Sequence, residues 1–121
     1  MMENKSELNN QIPLTEPTFY ILLSLAPGPK HGYGIMKETE ELSKGRVRLS
    51  TGTLYGAIKR LLESGWIQRL EHPEAGAPPR ERRLYLLTDT GQRVLKTETE
   101  RMDQLVKLSQ QIRSTSIILN L

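Results

Sequence analysis

The sequence predicts a small, mainly helical α+β fold, on three observations. Segments with helical spacing of apolar residues fill the first half of the chain. Two strand-like runs around a proline-rich tip follow, and a long polar helix with one apolar stripe closes the chain. A length of 121 residues, with 36% hydrophobic and 26% charged side chains, suits one domain with a modest core plus an appended helix.

Residues 1–13 read as a flexible arm, polar and acidic rather than basic and then apolar, so no signal peptide is expected. Thr15 or Glu16 opens the first helix, and Pro17 is tolerated in a first turn whose amides have no helical acceptor. Phe19, Tyr20, Ile21, Leu22, Leu23 and Leu25 make this helix apolar nearly all round. Such a helix needs cover from its own core and from something else, the first indication of a dimer. Ala26-Pro27-Gly28-Pro29 stops it. A second helix restarts between Lys30 and Gly34, with Ile35, Met36, Thr39 and Leu42 at core spacing and Lys37, Glu38, Glu40 and Glu41 facing water.

Arg46-Val47-Arg48-Leu49 alternates polar and apolar residues, which predicts a short strand. Ser50 caps a third helix whose core stripe is Leu54, Ile58, Leu61 and Leu62, and Gly65 is its C-terminal stop. Strands are expected at Trp66–His72 and Arg82–Leu87, with Trp66 an anchor in the core or at the base of the hairpin. Pro73, Pro78 and Pro79 make the connection too stiff for a two-residue turn, so the hairpin projects with a long tip. Thr88-Asp89 then caps a last helix to Arg113, about 37 Å long at 1.5 Å per residue and longer than the domain can cover. Leu95, Met102, Leu105, Val106, Ser109 and Ile112 share one stripe on it, a surface for a second copy. The tail Ser114–Leu121 either packs on that seam or stays loose.

Several function classes are excluded at this level. There is no cysteine, hence no disulfide framework, thiol nucleophile or cysteine zinc site. His31 and His72 make no metal centre by themselves, and no cofactor is expected. No apolar run approaches the ~18 residues of a membrane span, and a cytoplasmic protein is expected. Nucleophile elbow, phosphate loop and paired catalytic carboxylates are missing, so the chain is not read as an enzyme. The net charge of +3 is unevenly spread: residues 1–45 carry four basic and six acidic side chains, and residues 46–83 carry eight and four. The positive excess lies in the middle third, where a nucleic-acid contact is to be sought.

A helical trio with a basic third helix and a projecting hairpin is the winged helix-turn-helix arrangement, here residues 14–88, followed by a dimerisation helix over 89–113. The motifs agree. Gly28-Pro29-Lys30-His31-Gly32-Tyr33-Gly34-Ile35, Gly52-Thr53-Leu54-Tyr55, Lys59-Arg60-Leu61, Ser64-Gly65-Trp66-Ile67 and Arg82-Arg83-Leu84-Tyr85-Leu86-Leu87-Thr88-Asp89-Thr90-Gly91 stand in order with the right gaps. From about Leu14 to Leu95 the chain resembles the PadR family of bacterial transcriptional regulators, in the compact subgroup with one C-terminal dimerisation helix. Gly56 departs from the family's frequent proline, Gly34 from its frequent acidic residue, and Leu62-Glu63 stands where Glu usually follows Leu directly. The resemblance implies a homodimeric repressor of a palindromic DNA operator, often released by a small aromatic effector.

The DNA contacts expected on the third helix are Thr53, Tyr55, Lys59 and Arg60, with Ser50 and Thr51 as caps at an N-terminus suited to a phosphate. Gly52 and Gly56 on the same face either admit close backbone approach or, for Gly52, merely occupy a tolerant first turn. His31, Gly32 and Tyr33 open the second helix and offer amides to a phosphate; His31 serves alternatively as a cap or packing residue. Arg80, Arg82 and Arg83 flank the hairpin tip, and only one of Arg82 and Arg83 points at DNA if both are in a strand. Phe19, Leu22, Leu95, Met102, Leu105, Val106 and Ile112 are the expected dimer contacts, with Phe19, Tyr20, Met102 and Val106 as walls of an effector pocket. The competing reading is a winged helix used only for protein–protein contact, whose third-helix face would be apolar.

Overall fold

The computed structural model describes residues 12–71 and 83–119, with side chains of the last helix described to residue 115. The order is α1 (Glu16–Leu25), α2 (Gly32–Leu42), α3 (Thr51–Glu63), β1 (Ile67–Glu71), β2 (Arg83–Leu87) and α4 (Asp89–Leu119). This is the mainly helical α+β architecture expected.

Helices α1, α3 and α4 each start where a side chain replaces the missing backbone acceptor. The Thr15 hydroxyl accepts from Thr18 N–H, Ser50 accepts from Thr53 N–H, and Thr88 accepts from Gly91 N–H. Gly65, at φ +74°, ends α3 in the left-handed region that a side chain disfavours. The core lies between α1, α2 and α3 and the inner end of the hairpin. Ile21 and Leu22 of α1, Ile35 of α2 and Leu54 and Ile58 of α3 converge there, with Trp66 and Val94 beneath them. Ser24 is also fully buried, but its hydroxyl donates to the Ile21 carbonyl and so is satisfied within the helix.

Three local expectations are corrected. Arg46–Leu49 forms no strand: the chain is pinned by the Ser43 hydroxyl, which accepts from Val47 N–H, while Arg46 pairs with Glu16 and Arg48 with Glu40. The hairpin's third partner is instead Lys30, bridged antiparallel to Tyr85 by reciprocal backbone bonds of 3.0 and 2.8 Å. Leu42 is 42% exposed, because α2 ends there and the chain turns through Lys44 and Gly45, both at positive φ, with Ser43 buried in its place. Glu38 turns from open water to Lys30, 3.1 Å away.

β1 and β2 pair antiparallel in a single register from Ile67↔Leu87 to Glu71↔Arg83. β1 is buried only at Ile67, so the ribbon leaves the domain as a wing. α4 continues to Leu119, beyond the expected end near Arg113. Its start is locked to the wing base: Thr88 N–H donates to the Trp66 carbonyl, and the Thr88 hydroxyl donates to the Gly65 carbonyl. At Gly91 the backbones approach so closely that a Cβ would lie 2.9 Å from the Trp66 carbonyl carbon and closer still to its oxygen.

Candidate nucleic-acid interface

The core stripe of α3 turns Leu54, Ala57, Ile58 and Leu61 inward. Its opposite face is therefore solvent-exposed at Thr51, Gly52, Thr53, Lys59, Arg60 and Glu63. Among the described residues neither Lys59 nor Arg60 is paired with a carboxylate. A Cβ at Gly52 would meet no atom within 4 Å, and one at Gly56 would meet only the Arg60 guanidinium at 3.7 Å. Beside Thr51, Thr53 and Glu63, the outer face of α3 thus carries two stretches of thinly covered backbone and two cations, a shape that admits a large anionic surface at short range. The Ser50 and Thr53 hydroxyls bond to each other at 2.9 Å within the cap.

The start of α2 lies beside this face. Tyr33 is 70% exposed. His31 occupies the N-cap position but makes no cap bond; its Nδ1–H donates instead to the Arg83 carbonyl, at 3.1 Å. That bond ties the start of α2 to the wing, while the His31 ring itself stays exposed. Gly32 is buried, against its expected role as a direct contact: a Cβ there would sit 2.7 Å from the Tyr55 hydroxyl oxygen. Tyr55 is half-buried, leaning across from α3 with its hydroxyl at the junction of the two helices.

Arg83 falls on the same sheet face as Tyr85. Burial first, and then nearby Tyr55, raise the Tyr85 hydroxyl above its ordinary pKa, while Arg83 and Arg69 oppose the shift. Arg69, paired with Tyr85 across the ladder, is the basic residue that sequence reading missed. Its signal was available, since Ile67, Arg69 and Glu71 alternate on one face. Arg80 and Arg82 lie outside the described residues.

The outer part of α4 carries Leu105, Val106, Leu108 and Ile112, each more than half exposed. Leu108 joins the expected stripe. Leu95 packs on its own core and Met102 is half-buried. Leu22 is corrected as a dimer contact: it is fully buried inside its own subunit and has no surface to offer. Phe19 and Tyr20 are half-buried and stack edge to face, with ring centres 6.1 Å apart. Within one subunit they form no described cleft with Met102 and Val106; a cleft beside α4 is lined by Ala26, Leu87, Gln92, Leu95 and Thr99 instead.

Glu98 was also missed. It is 1% exposed, accepting from Leu14 N–H at 2.6 Å and from Arg101 Nε. Burial would push its carboxyl up, but the Arg101 and Leu14 donors outweigh burial and hold it below its ordinary 4.5. Its stabilising contribution is therefore complete above 4.5 and is lost as pH falls through the lower folded value. Glu98→Gln is expected to cost about 1.5–3 kcal/mol at neutral pH. It is also expected to flatten the acid limb of the stability curve, read by urea denaturation across a pH series.

Among the described residues no helix is long and apolar enough to cross a membrane, and no group of three or more His, Asp or Glu is placed to hold a metal. Comparison with known proteins agrees with the architecture. The chain is 38% identical over 85 residues to a 37.1 kDa protein of a Streptomyces fradiae transposon, matching 70% of this chain but spanning only 22% of that one. A PadR-like transcription factor from Bacteroides fragilis superimposes with a TM-score of 0.68 at 23% identity, over 89% of this chain and 96% of its own. PadR of Bacillus subtilis, solved in complex with operator DNA, superimposes with a TM-score of 0.58 at 25% identity, over 66% of this chain and 44% of its own. Residues 21–97 match the transcriptional regulator PadR-like family, and with more than half its length inside that match the chain belongs to this family.

Proposed function

We propose that this protein is a sequence-specific DNA-binding transcriptional regulator that acts as a homodimer. The observation that carries the reading is the outer face of α3, where Gly52, open to solvent, and Gly56, met only by the Arg60 guanidinium, lie beside the exposed Lys59 and Arg60. In this reading α3 enters the major groove, with Lys59 and Arg60 meeting phosphates or guanine edges and Thr51 and Thr53 placed at the first turn. Tyr33 and Tyr55 flank the groove, and the wing with Arg83 and Arg69, together with Arg80 and Arg82, reaches the neighbouring backbone. A protein–protein module would carry an apolar α3 face, and this one is polar and basic.

Two copies join through the exposed stripe of α4, so that two α3 helices reach successive major grooves about 34 Å apart on an inverted repeat. Repression, relieved by a small aromatic molecule between Phe19 and Tyr20 of one subunit and the facing α4 stripe of the other at Met102 and Val106, is the finer form of this proposal. It rests on the family resemblance. A fluorescence titration with phenolic acids, read as release of bound DNA, tests it.

Leu105→Glu combined with Ile112→Glu is expected to leave the domain folded, because both side chains are more than half exposed. The pair should yield a monomer by light scattering and lower DNA affinity about a hundredfold, through loss of the second half-site. The DNA reading itself is tested by incubating the protein with sheared genomic DNA at two salt concentrations and sequencing the bound fragments. Enrichment of one inverted repeat that survives the higher salt supports it. Uniform binding that vanishes with salt contradicts sequence specificity.

A further inference from the structure

We propose that Gly32 is a positioning residue for DNA binding, acting only through Tyr55: the missing side chain at position 32 forms a notch that fixes the Tyr55 hydroxyl as a phosphate ligand. This rests on the DNA-binding reading above and assigns Gly32 a part that its own atoms do not play.

Gly32 is buried although it opens a helix at the surface, and what buries it is the end of the Tyr55 ring. A Cβ at position 32 would stand 2.7 Å from the Tyr55 hydroxyl oxygen, 3.2 Å from Cζ and 3.4 Å from Cε1. The three nearest atoms therefore all belong to the phenol end of one side chain from another helix. A Cα–Cβ bond tilts toward the N-terminus of its helix, so the hydroxyl occupies the N-terminal side of the first turn of α2. Tyr55 itself leaves α3 on the flank between its core stripe and its outer face, and is half-buried.

Among the described residues the hydroxyl has no partner inside the subunit. No hydrogen bond to it is formed among the described residues. It is also not among the buried polar atoms left without a partner, which are Thr39 Oγ1 and Trp66 Nε1. A phenol wedged by its ring, with its oxygen uncommitted among the described residues and in reach of solvent, is a pre-oriented donor. The ring is held by α2, so little conformational entropy is lost when the donor meets an acceptor. The position, between the start of α2 and the outer face of α3, is where a phosphate flanking the groove would pass.

Three variants test this on a duplex recovered from a random library by the wild-type protein, with affinity measured over a salt series. Tyr55→Phe keeps the wedge and removes the donor. It is expected to weaken binding about tenfold or more, with the salt slope unchanged because no charge is lost. Gly32→Ala is expected to weaken binding to a similar extent by displacing the ring, and to lower the melting temperature. The double variant should bind about as well as Tyr55→Phe alone.

Unchanged affinity in folded Tyr55→Phe overturns the proposal, and this arm stands even if Gly32→Ala fails to fold. An equal loss from Gly32→Ala in both backgrounds also overturns it, because Gly32 would then act without Tyr55. If the wild type recovers no common sequence from the library, the underlying DNA reading fails instead, and the two failures are distinguishable.

Discussion

Gly91→Ala is expected to destabilise the protein by about 3 kcal/mol, at the upper end of what one added methyl group does. The added Cβ would meet the Trp66 carbonyl group, at 2.9 Å from its carbon, and the Leu87 side chain at 3.3 Å. Neither neighbour yields easily. The Trp66 carbonyl already accepts from Thr88 N–H, and Trp66 is 6% exposed in the core. Relief requires α4 to lift from the wing base, which breaks the Thr88 cap as well. Gly52→Ala is the matching control, in an exposed helix with no atom within 4 Å. There the same methyl group should be neutral or stabilise by up to about 1 kcal/mol. Urea denaturation followed by circular dichroism separates the two, and equal effects would contradict the close approach at Gly91.

Replacement of both Lys59 and Arg60 by alanine is expected to produce the largest loss of DNA binding without loss of fold. Both side chains are exposed and bear no core contact, so the melting temperature should hold. Each phosphate contact removed lowers the slope of log affinity against log salt by about 0.9, and a dimer loses each contact twice. The double variant should therefore bind far more weakly at low salt and show a much flatter salt dependence. Tyr55→Phe should weaken binding at constant slope, so the two kinds of contact are told apart in one titration. A folded double variant with wild-type affinity and slope would remove α3 from the interface.

The elements legible in the sequence were those set by local chemistry. Ser50 and Gly65 bound α3 because a hydroxyl cap and a left-handed stop act within a turn of their own position. The hairpin was legible too, from two short strand-like runs on either side of a stiff, proline-rich segment. What depended on distant partners was not. Arg46–Leu49 alternates like a strand, but a strand exists only where another edge accepts its bonds; Lys30 holds that place against Tyr85. An α1 that is apolar all round makes Leu22 look like a dimer contact, and periodicity does not say which cover comes from the same chain.

The candidate site divides along the same line. The basic outer face of α3 follows from its core stripe by elimination, so Lys59 and Arg60 were readable. Gly32 and Gly91 carry no pattern, since a glycine needed for space looks the same as a glycine in a tolerant turn; only the approach of Tyr55 and of Trp66 distinguishes them. Glu98 did leave a trace. It stands in phase with Val94 and Arg101 on α4, on the face that turns toward the domain, and a carboxylate there has to be paired.

The central claim is that one dimer reads two half-sites with its two α3 helices, and a hydroxyl-radical footprint on the duplex selected by the wild-type protein tests it most directly. The account predicts two protected stretches with centres about 10 base pairs apart, on one face of the duplex, at a stoichiometry of two chains per site. Both should disappear in the Lys59 and Arg60 double variant. A single protected stretch at one chain per duplex, or protection spread evenly along the DNA, would contradict it.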